Sequence, residues 1–336
     1  MKRRISFNKF EMRRLILVLL LCAAGAGMRA QEKDSLLVMF WNLENFFDWT
    51  DQGTGGSDKE FSSFGFRHWS KSKFYSKCNL VAKSIFWMSD QYGRMPDVMG
   101  FCEIENKGVL TRLLNSTLLR KYDYGIVHFD SNDRRGIDVA LLYRKSSFEL
   151  LSTSLKIPFY DGEKLRTRDM LHARMKNGAM KNMVDFIVCH HPSKYGGAEE
   201  SQRRRVAAMG ALEQLCDSLC GGYRVVMGDF NDIPSAEQFT MLSSVLVNKA
   251  ETLSAAGKGT IRYKGRWELI DMFLVDSSLA QATCMDIVQV PFLMTYDRSY
   301  PGYKPLRTYS GPRYLGGVSD HCPIILKILL PLEDFK

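Results

Sequence analysis

Short apolar runs, each closing on one polar residue, recur along the chain. Phe40-Trp41 gives way to Asn42, Val98 to Phe101 leads to Glu103, and Phe186 to Val188 leads to His190. Val225-Val226-Met227 precedes Gly228-Asp229-Phe230-Asn231, and Ser319-Asp320-His321 opens a last apolar run, Pro323 to Leu330. Runs of this length and composition read as strands. Strands that each end in a carboxylate, amide or imidazole line one rim of a sheet with polar groups. The pattern predicts strands at 36–41, 97–102, 124–129, 137–144, 148–155, 166–175, 183–190, 223–228, 268–275 and 321–330. Apolar spacing near 3.6 predicts helices at 70–89, 106–120, 198–219 and 234–245. Strands interleaved with helices over about 300 residues imply a layered α/β architecture. Two polar loops, 48–66 and 291–316, are long for a compact domain, and loops of that kind often carry function.

The first thirty residues stand apart. Lys2, Arg3, Arg4, Arg13 and Arg14 precede a short apolar run, Leu15 to Ala24, and then Gly25-Ala26-Gly27. This is the pattern of a cleaved secretory signal, too short to span a bilayer. Cleavage after Ala26 or Ala30 is expected, with residues 31–336 forming a single domain. Glu11 within the basic stretch makes Met12 an alternative start, and Leu21 is too bulky before Cys22 for a lipoprotein signal. The leader also changes the charge. The chain carries +9 overall; taking away the leader's seven Lys/Arg and one acid leaves +3. Global charge therefore says almost nothing about the substrate. Seven cysteines remain after the leader, an odd and scattered set that forms no disulfide framework. Cys216 and Cys220 lack a second pair to complete a zinc site.

Several residues carry candidate chemistry. Asp229 and Asn231, two apart, share one face of an extended segment. The acid can take a proton from water, and the amide can donate to a phosphoryl oxygen; the same four residues also suit an Asx turn. Asp271 is a carboxylate in an apolar run, costly to bury unpaired, and pairing with a histidine would orient a base. Asp320 and His321 are neighbours and can serve one site only at a strand end. Of His190 and His191, the second begins a turn before Pro192, so His190 faces the rim. Asn42, Glu103 and Asp320 are hard oxygen donors suited to Mg²⁺, with Mn²⁺ an acceptable substitute. Arg135, before the run Ile137 to Tyr143, reads equally well as a phosphate contact or a solvated turn. In the 291–316 loop, Lys304 and Arg307 can hold substrate phosphates beside a set of tyrosines, or the loop can be structural. Gln202-Arg203-Arg204-Arg205 reads mainly as a solvated helix face.

Taken in order, Trp41-Asn42-Leu43-Glu44-Asn45, Pro96 to Glu103, His190 with Pro192-Ser193, Gly228 to Asn231, Trp267 with Asp271, and Ser319-Asp320-His321 resemble the endonuclease/exonuclease/phosphatase superfamily over residues 36–330. Two neighbours depart from that pattern: Cys102 stands where Gln is usual and Cys189 where Asn is frequent. The resemblance implies a four-layered α/β sandwich, two packed and mostly antiparallel sheets flanked by helices. It places Asn42 and Glu103 at a metal with Asp320 nearby, His190 and Asn231 on the phosphate, Asp229 on the water and His321 against Asp271. It leaves open whether His321 or Asp229 is the base. It implies an exported Mg²⁺-dependent hydrolase, a phosphodiesterase or nuclease, or a phosphomonoesterase or sphingomyelinase-like lipase on the same site. The expected partner is a phosphoester, nucleic acid among the candidates, with the enzyme a monomer. A binding module that had lost the chemistry would not need the full polar set.

Overall fold

The computed structural model describes residues 35–330, apart from 54, 181 and 195. The leader assigned to residues 1–30 lies outside them. Twelve strands form two six-stranded sheets. We number them β1 (Ser35–Phe46), β2 (Val98–Ile104), β3 (Tyr124–His128), β4 (Asp138–Arg144), β5 (Glu149–Lys156), β6 (Met170–Lys176), β7 (Met183–His190), β8 (Gly222–Asp229), β9 (Leu246–Asn248), β10 (Asp271–Asp276), β11 (Thr283–Ile287) and β12 (Ile324–Leu329). The first sheet runs β11-β12-β1-β2-β4-β3 and the second β9-β10-β8-β7-β6-β5. Each has one parallel pair at its centre, β1/β2 and β7/β8, flanked by antiparallel neighbours.

The alternation of side chains along β1 separates two cores. Leu36, Val38 and Phe40 pack with Phe186, Val226 and Met227 of the second sheet. Leu37, Met39 and Trp41 face away and pack with the helices α1 (Lys71–Tyr92) and α2 (Lys107–Ser116). On the far side, Ala208, Met209 and Leu212 of α3 (Ala198–Ser218) join the core of the second sheet. The layers are therefore helix, sheet, sheet, helix. Gly100 on β2 marks how closely the sheets approach: a Cβ there would lie 2.5 Å from the Met227 sulfur. The helix α1 starts at Ser70, whose hydroxyl accepts from Lys73 N–H, and stops at Gly93 in a left-handed conformation.

Several sequence expectations change. The predicted 106–120 helix breaks at Thr117, which is extended and caps Leu119 N–H with its hydroxyl, starting a separate 3₁₀ turn. The predicted 234–245 helix shrinks to a 3₁₀ turn, Glu237–Leu242, because Gln238 turns inward to Asp232 and Gln202. The strand predicted from 166 begins only at Met170, after Arg168 has entered a buried ion pair. Glu268 belongs to a separate ribbon, so β10 begins at Asp271. Strand β12 begins at Ile324, leaving Asp320 and His321 in the turn before it. The 291–316 loop is largely two small ribbons, Met294–Asp297 with Gly302–Pro305 and Tyr309–Ser310 with Arg313–Tyr314. All seven cysteines in the described residues are free; Cys216 is buried and Cys220 exposed.

Candidate active site

The second sheet supplies three neighbours at one level by register alone. His190 on β7 is the parallel partner of Asp229 on β8, and Asp229 is the antiparallel partner of Asp271 on β10. All three are buried. His321 reaches them from the first sheet's side: its Nδ1 lies 2.7 Å from Asp271 Oδ2 and its Nε2 3.9 Å from Asp229 Oδ2. Trp41 Nε1–H donates to the His321 carbonyl at 2.9 Å, and His321 N–H donates to Ser319 Oγ at 3.0 Å. The ring is thus held at both backbone and side chain. The strand-end placement expected for Asp320-His321 is what allows two adjacent residues to serve one site.

Burial and the facing Asp271 carboxylate raise Asp229 to about 7, opposed by His321, the Asn231 N–H and the Asn42 amide. Burial disfavours the charged form of His321, but Asp271, with Asp229 and Asp320, outweighs it and keeps the ring protonated well above the usual histidine range. His190 goes the other way. Burial, with Arg168 and Arg135 nearby, holds it neutral. Its Nε2 lies 3.5 Å from Asp229 Oδ2, and its buried Nδ1 has no hydrogen-bond partner among the described residues. Two histidines in one site are thus driven to opposite charge states.

Asn231 sits at a positive φ of 52°. The turn folds it back, so that its N–H donates to Asp229 Oδ1 at 2.9 Å and its Nδ2 to the His191 carbonyl at 3.0 Å. One amide hydrogen therefore braces the turn, which leaves the other for a further acceptor.

The first sheet contributes oxygen donors through a bulge. The β1/β2 register shifts between Asn42 and Phe46, and Glu44, Asn45 and Glu103 all have positive φ. Non-glycine residues in that region carry strain that clusters at functional sites. Here it turns Glu103 so that Oε2 accepts from Asn45 N–H at 2.8 Å. Asn42 Oδ1 accepts from Glu44 N–H at 2.9 Å, and its Nδ2 donates to Asp229 Oδ2 at 3.1 Å, joining the two rims. Asp320 is about one-third exposed, with Oδ2 3.2 Å from Arg307.

Sequence reasoning missed several partners. Glu44 is buried, accepts from Arg307 Nε at 2.8 Å and from Thr308 N–H at 3.0 Å, and is raised to about 7 by burial and by Asp320. Its place two residues after Asn42, within the quoted motif, was the available signal. Lys77, on the buried face of α1, donates to the Glu44 carbonyl at 2.7 Å and to Thr308 Oγ1 at 2.9 Å; burial lowers it to about 8 against the pull of Glu44, Glu103 and Asp320. Arg168 donates to Asp133 Oδ2 at 3.2 Å and to the His191 carbonyl at 2.8 Å. Arg168-Asp169 inside an apparent strand was a charged pair that the strand reading absorbed.

Of the three substrate cations read from sequence, two reach the site. Arg135 Nη1 lies 3.9 Å from Glu103 Oε1, and Arg307 bridges Glu44 and Asp320. Lys304 does not: opposite Thr295 in its ribbon, it gives its ammonium to Asp297 Oδ2 at 2.7 Å. The basic run after Gln202 is largely spent on salt bridges, Arg203 to Glu199, Arg204 to Glu200 and Arg205 to Asp232.

The donor set fits a small hard cation. Asn42, Glu103 and Asp320 offer oxygen, and Glu44 adds a buried carboxylate behind them, leaving negative charge that Arg307 and Lys77 only partly offset. Two tighter groups lie deeper, Cys102–His190–Asp229 and Asp229–Asp271–His321. They suit a metal less. Burial keeps the Cys102 thiol protonated, and His321 Nδ1 is already hydrogen-bonded to Asp271.

A family model described as the endonuclease/exonuclease/phosphatase family matches residues 37–329. Among solved structures, an endonuclease/exonuclease/phosphatase family protein from Bacteroides thetaiotaomicron aligns with a TM-score of 0.55 at 16% identity, over 89% of this chain and 99% of that one. A mannosyl-6-phosphatase from the same organism aligns with a TM-score of 0.55 at 14% identity, over 88% and 100%. The D. rerio protein TDP2, in complex with a single-stranded DNA product, aligns with a TM-score of 0.53 at 15% identity, over 87% and 98%. Likenesses at such identity concern the fold alone. Among curated proteins none matches the chain. The family match spans nearly all of the described residues, and the chain belongs to the endonuclease/exonuclease/phosphatase family of metal-dependent phosphoester hydrolases.

Proposed function

We propose that the protein is an exported, Mg²⁺-dependent phosphodiesterase of the nuclease kind that works by in-line attack of water on phosphorus. One observation carries the assignment of roles. Asp229 stands between His190 and the His321–Asp271 pair, with Asn42 tying it to the oxygen-donor rim. A buried carboxylate with its proton affinity raised towards neutrality suits a general base. Asp229 orients the water and accepts its proton. His321, kept charged by Asp271, faces the phosphoryl oxygens as a fixed donor, and neutral His190 and the remaining Asn231 N–H add further contacts. Such preorganised donors supply most of the stabilisation in this chemistry. Asn42, Glu103 and Asp320 would hold a divalent cation, which would supply neutralisation of the phosphoester's negative charge. Arg135 and Arg307, both about half exposed, flank this centre and can hold the flanking phosphates of an extended substrate.

The basic segment and apolar run within residues 1–30 support export to the periplasm or medium. The TDP2 and mannosyl-6-phosphatase likenesses concern the fold alone, and they name two substrate classes to test against each other, a nucleic acid and a sugar phosphate. The purified protein is offered single-stranded and duplex DNA, RNA, sphingomyelin and a hexose 6-phosphate, with Mg²⁺ and then with EDTA. Mg²⁺-dependent cleavage of a nucleic acid, lost in EDTA, is expected. Turnover of only the sugar phosphate or the lipid would overturn the diester-of-nucleic-acid reading while keeping the chemistry.

A further inference from the structure

A second constellation lies outside the catalytic rim, on the loop between β3 and β4. His128 ends β3, Asp138 begins β4, and Asp130 lies between them. His128 Nε2 is 3.3 Å from Asp138 Oδ2, and His128 Nδ1 is 4.0 Å from Asp130 Oδ1. One ligand-type atom from each of the three residues falls within 4.8 Å of the others.

The hydrogen bonding at this place is incomplete. The His128 side chain is only 3% exposed. Its Nε2 nonetheless makes no hydrogen bond among the described residues, although Asp138 Oδ2 lies 3.3 Å away. A buried polar atom without a partner needs an explanation, an ion or a water being the usual one. Asp169, also buried, adds a second such atom, its Oδ1. Two carboxylates thus flank one imidazole, one near each ring nitrogen.

We infer that His128, Asp130 and Asp138 form a second divalent-cation site, separate from the catalytic one. An imidazole with two carboxylates suits a first-row transition ion such as Zn²⁺ or Mn²⁺, the remaining positions taken by water. The second oxygen of Asp138 is already ordered, accepting from Ser131 N–H at 2.9 Å and from Ser131 Oγ at 2.5 Å.

The site has a consequence for the rim. Its ligands bracket residues 129–137, and that loop carries Asp133. Asp133 accepts from Arg135 N–H at 2.8 Å and from Arg168 at 3.2 Å, and Arg135 points on to Glu103. A cation linking Asp130 to β3 and β4 would hold in place the carboxylate that both arginines share. It would act as a loop clamp, without touching the phosphate.

The test uses the full mature chain, stripped with a chelator and titrated with Zn²⁺ or Mn²⁺ by calorimetry, with pulsed EPR on the Mn²⁺-loaded protein. Wild type should bind transition ions in two classes, one showing coupling to a single imidazole nitrogen. His128→Ala should lose that class and its nitrogen signal. Asp130→Asn, at a side chain 89% exposed that contributes little to folding, should weaken it by about tenfold or more. Glu103→Gln should affect only the other class, so the two sites fail separately. The same stoichiometry in wild type, His128→Ala and Asp130→Asn, or no imidazole coupling, would overturn the proposal.

Discussion

The two rims that meet at Asp229 are built by different means. The rim of the second sheet is made by register: His190, Asp229 and Asp271 fall level because three strands pair without a shift. It is dry and its charges are paired at short range, as in the 2.7 Å His321–Asp271 contact. The rim of the first sheet is made by strain: a bulge and three non-glycine residues at positive φ turn Asn42, Glu44 and Glu103 into place. It is wetter, and its carboxylates are shared with the half-exposed side chains Arg135 and Arg307. A regular rim preorganises acid–base chemistry. A bulged rim gathers oxygens whose counter-charges can exchange when a cation or substrate arrives.

The largest expected effect breaks the regular rim. Asp229→Asn keeps the shape and removes the base, so kcat should fall about 10³–10⁴-fold with an unchanged thermal midpoint. Steady-state kinetics on bis(p-nitrophenyl) phosphate reads the first, and a thermal melt the second. A loss below tenfold would remove Asp229 from the role of base.

Next is the bulged rim. Glu103→Gln should lower turnover at fixed Mg²⁺ by about 10²-fold, and excess Mg²⁺ should restore part of it. A rate indifferent to Mg²⁺ concentration in this variant would show that Glu103 is not at the ion.

The third prediction concerns coupling within the regular rim. Asp271→Asn and His321→Ala should each reduce kcat strongly, yet the double variant should be little worse than His321→Ala alone, because Asp271 acts through the ring. Additive losses would dissolve the pair.

Much of the regular rim was legible in the sequence, and the reason is physical. A strand's apolar run locates its end, so His190 and Asp229 each appear where a run stops; Asp271 stood out instead as a carboxylate within an apolar run, and in the structure it opens β10. The bulged rim was legible only in part. Asn42 and Glu103 close apolar runs, but the turn that brings Glu44 under Arg307 depends on contacts 263 residues apart in sequence. Lys77 looks like one more solvated helix lysine until α1 is packed on β1. Lys304 was less legible for a different reason. Loop length and composition suggested a substrate contact, but the ribbon register decides its partner, and that partner is Asp297.

The smallest expected effect sharpens that last contrast. Arg307→Ala should raise KM for an oligonucleotide by about fivefold, roughly 1 kcal/mol for a half-exposed ion contact. Lys304→Ala should leave KM unchanged. Equal effects of the two, read from initial rates over a substrate series, would return the ribbon to the substrate.

The distinction between the rims is tested most directly by a Mg²⁺ titration of the reaction rate for wild type, Asp229→Asn and Glu103→Gln side by side. The account predicts that Asp229→Asn lowers the plateau and leaves the half-saturating Mg²⁺ near the wild-type value, whereas Glu103→Gln moves half-saturation to higher Mg²⁺. If both variants moved half-saturation equally, or if Asp229→Asn alone moved it, the division of labour between the two sheets would be contradicted.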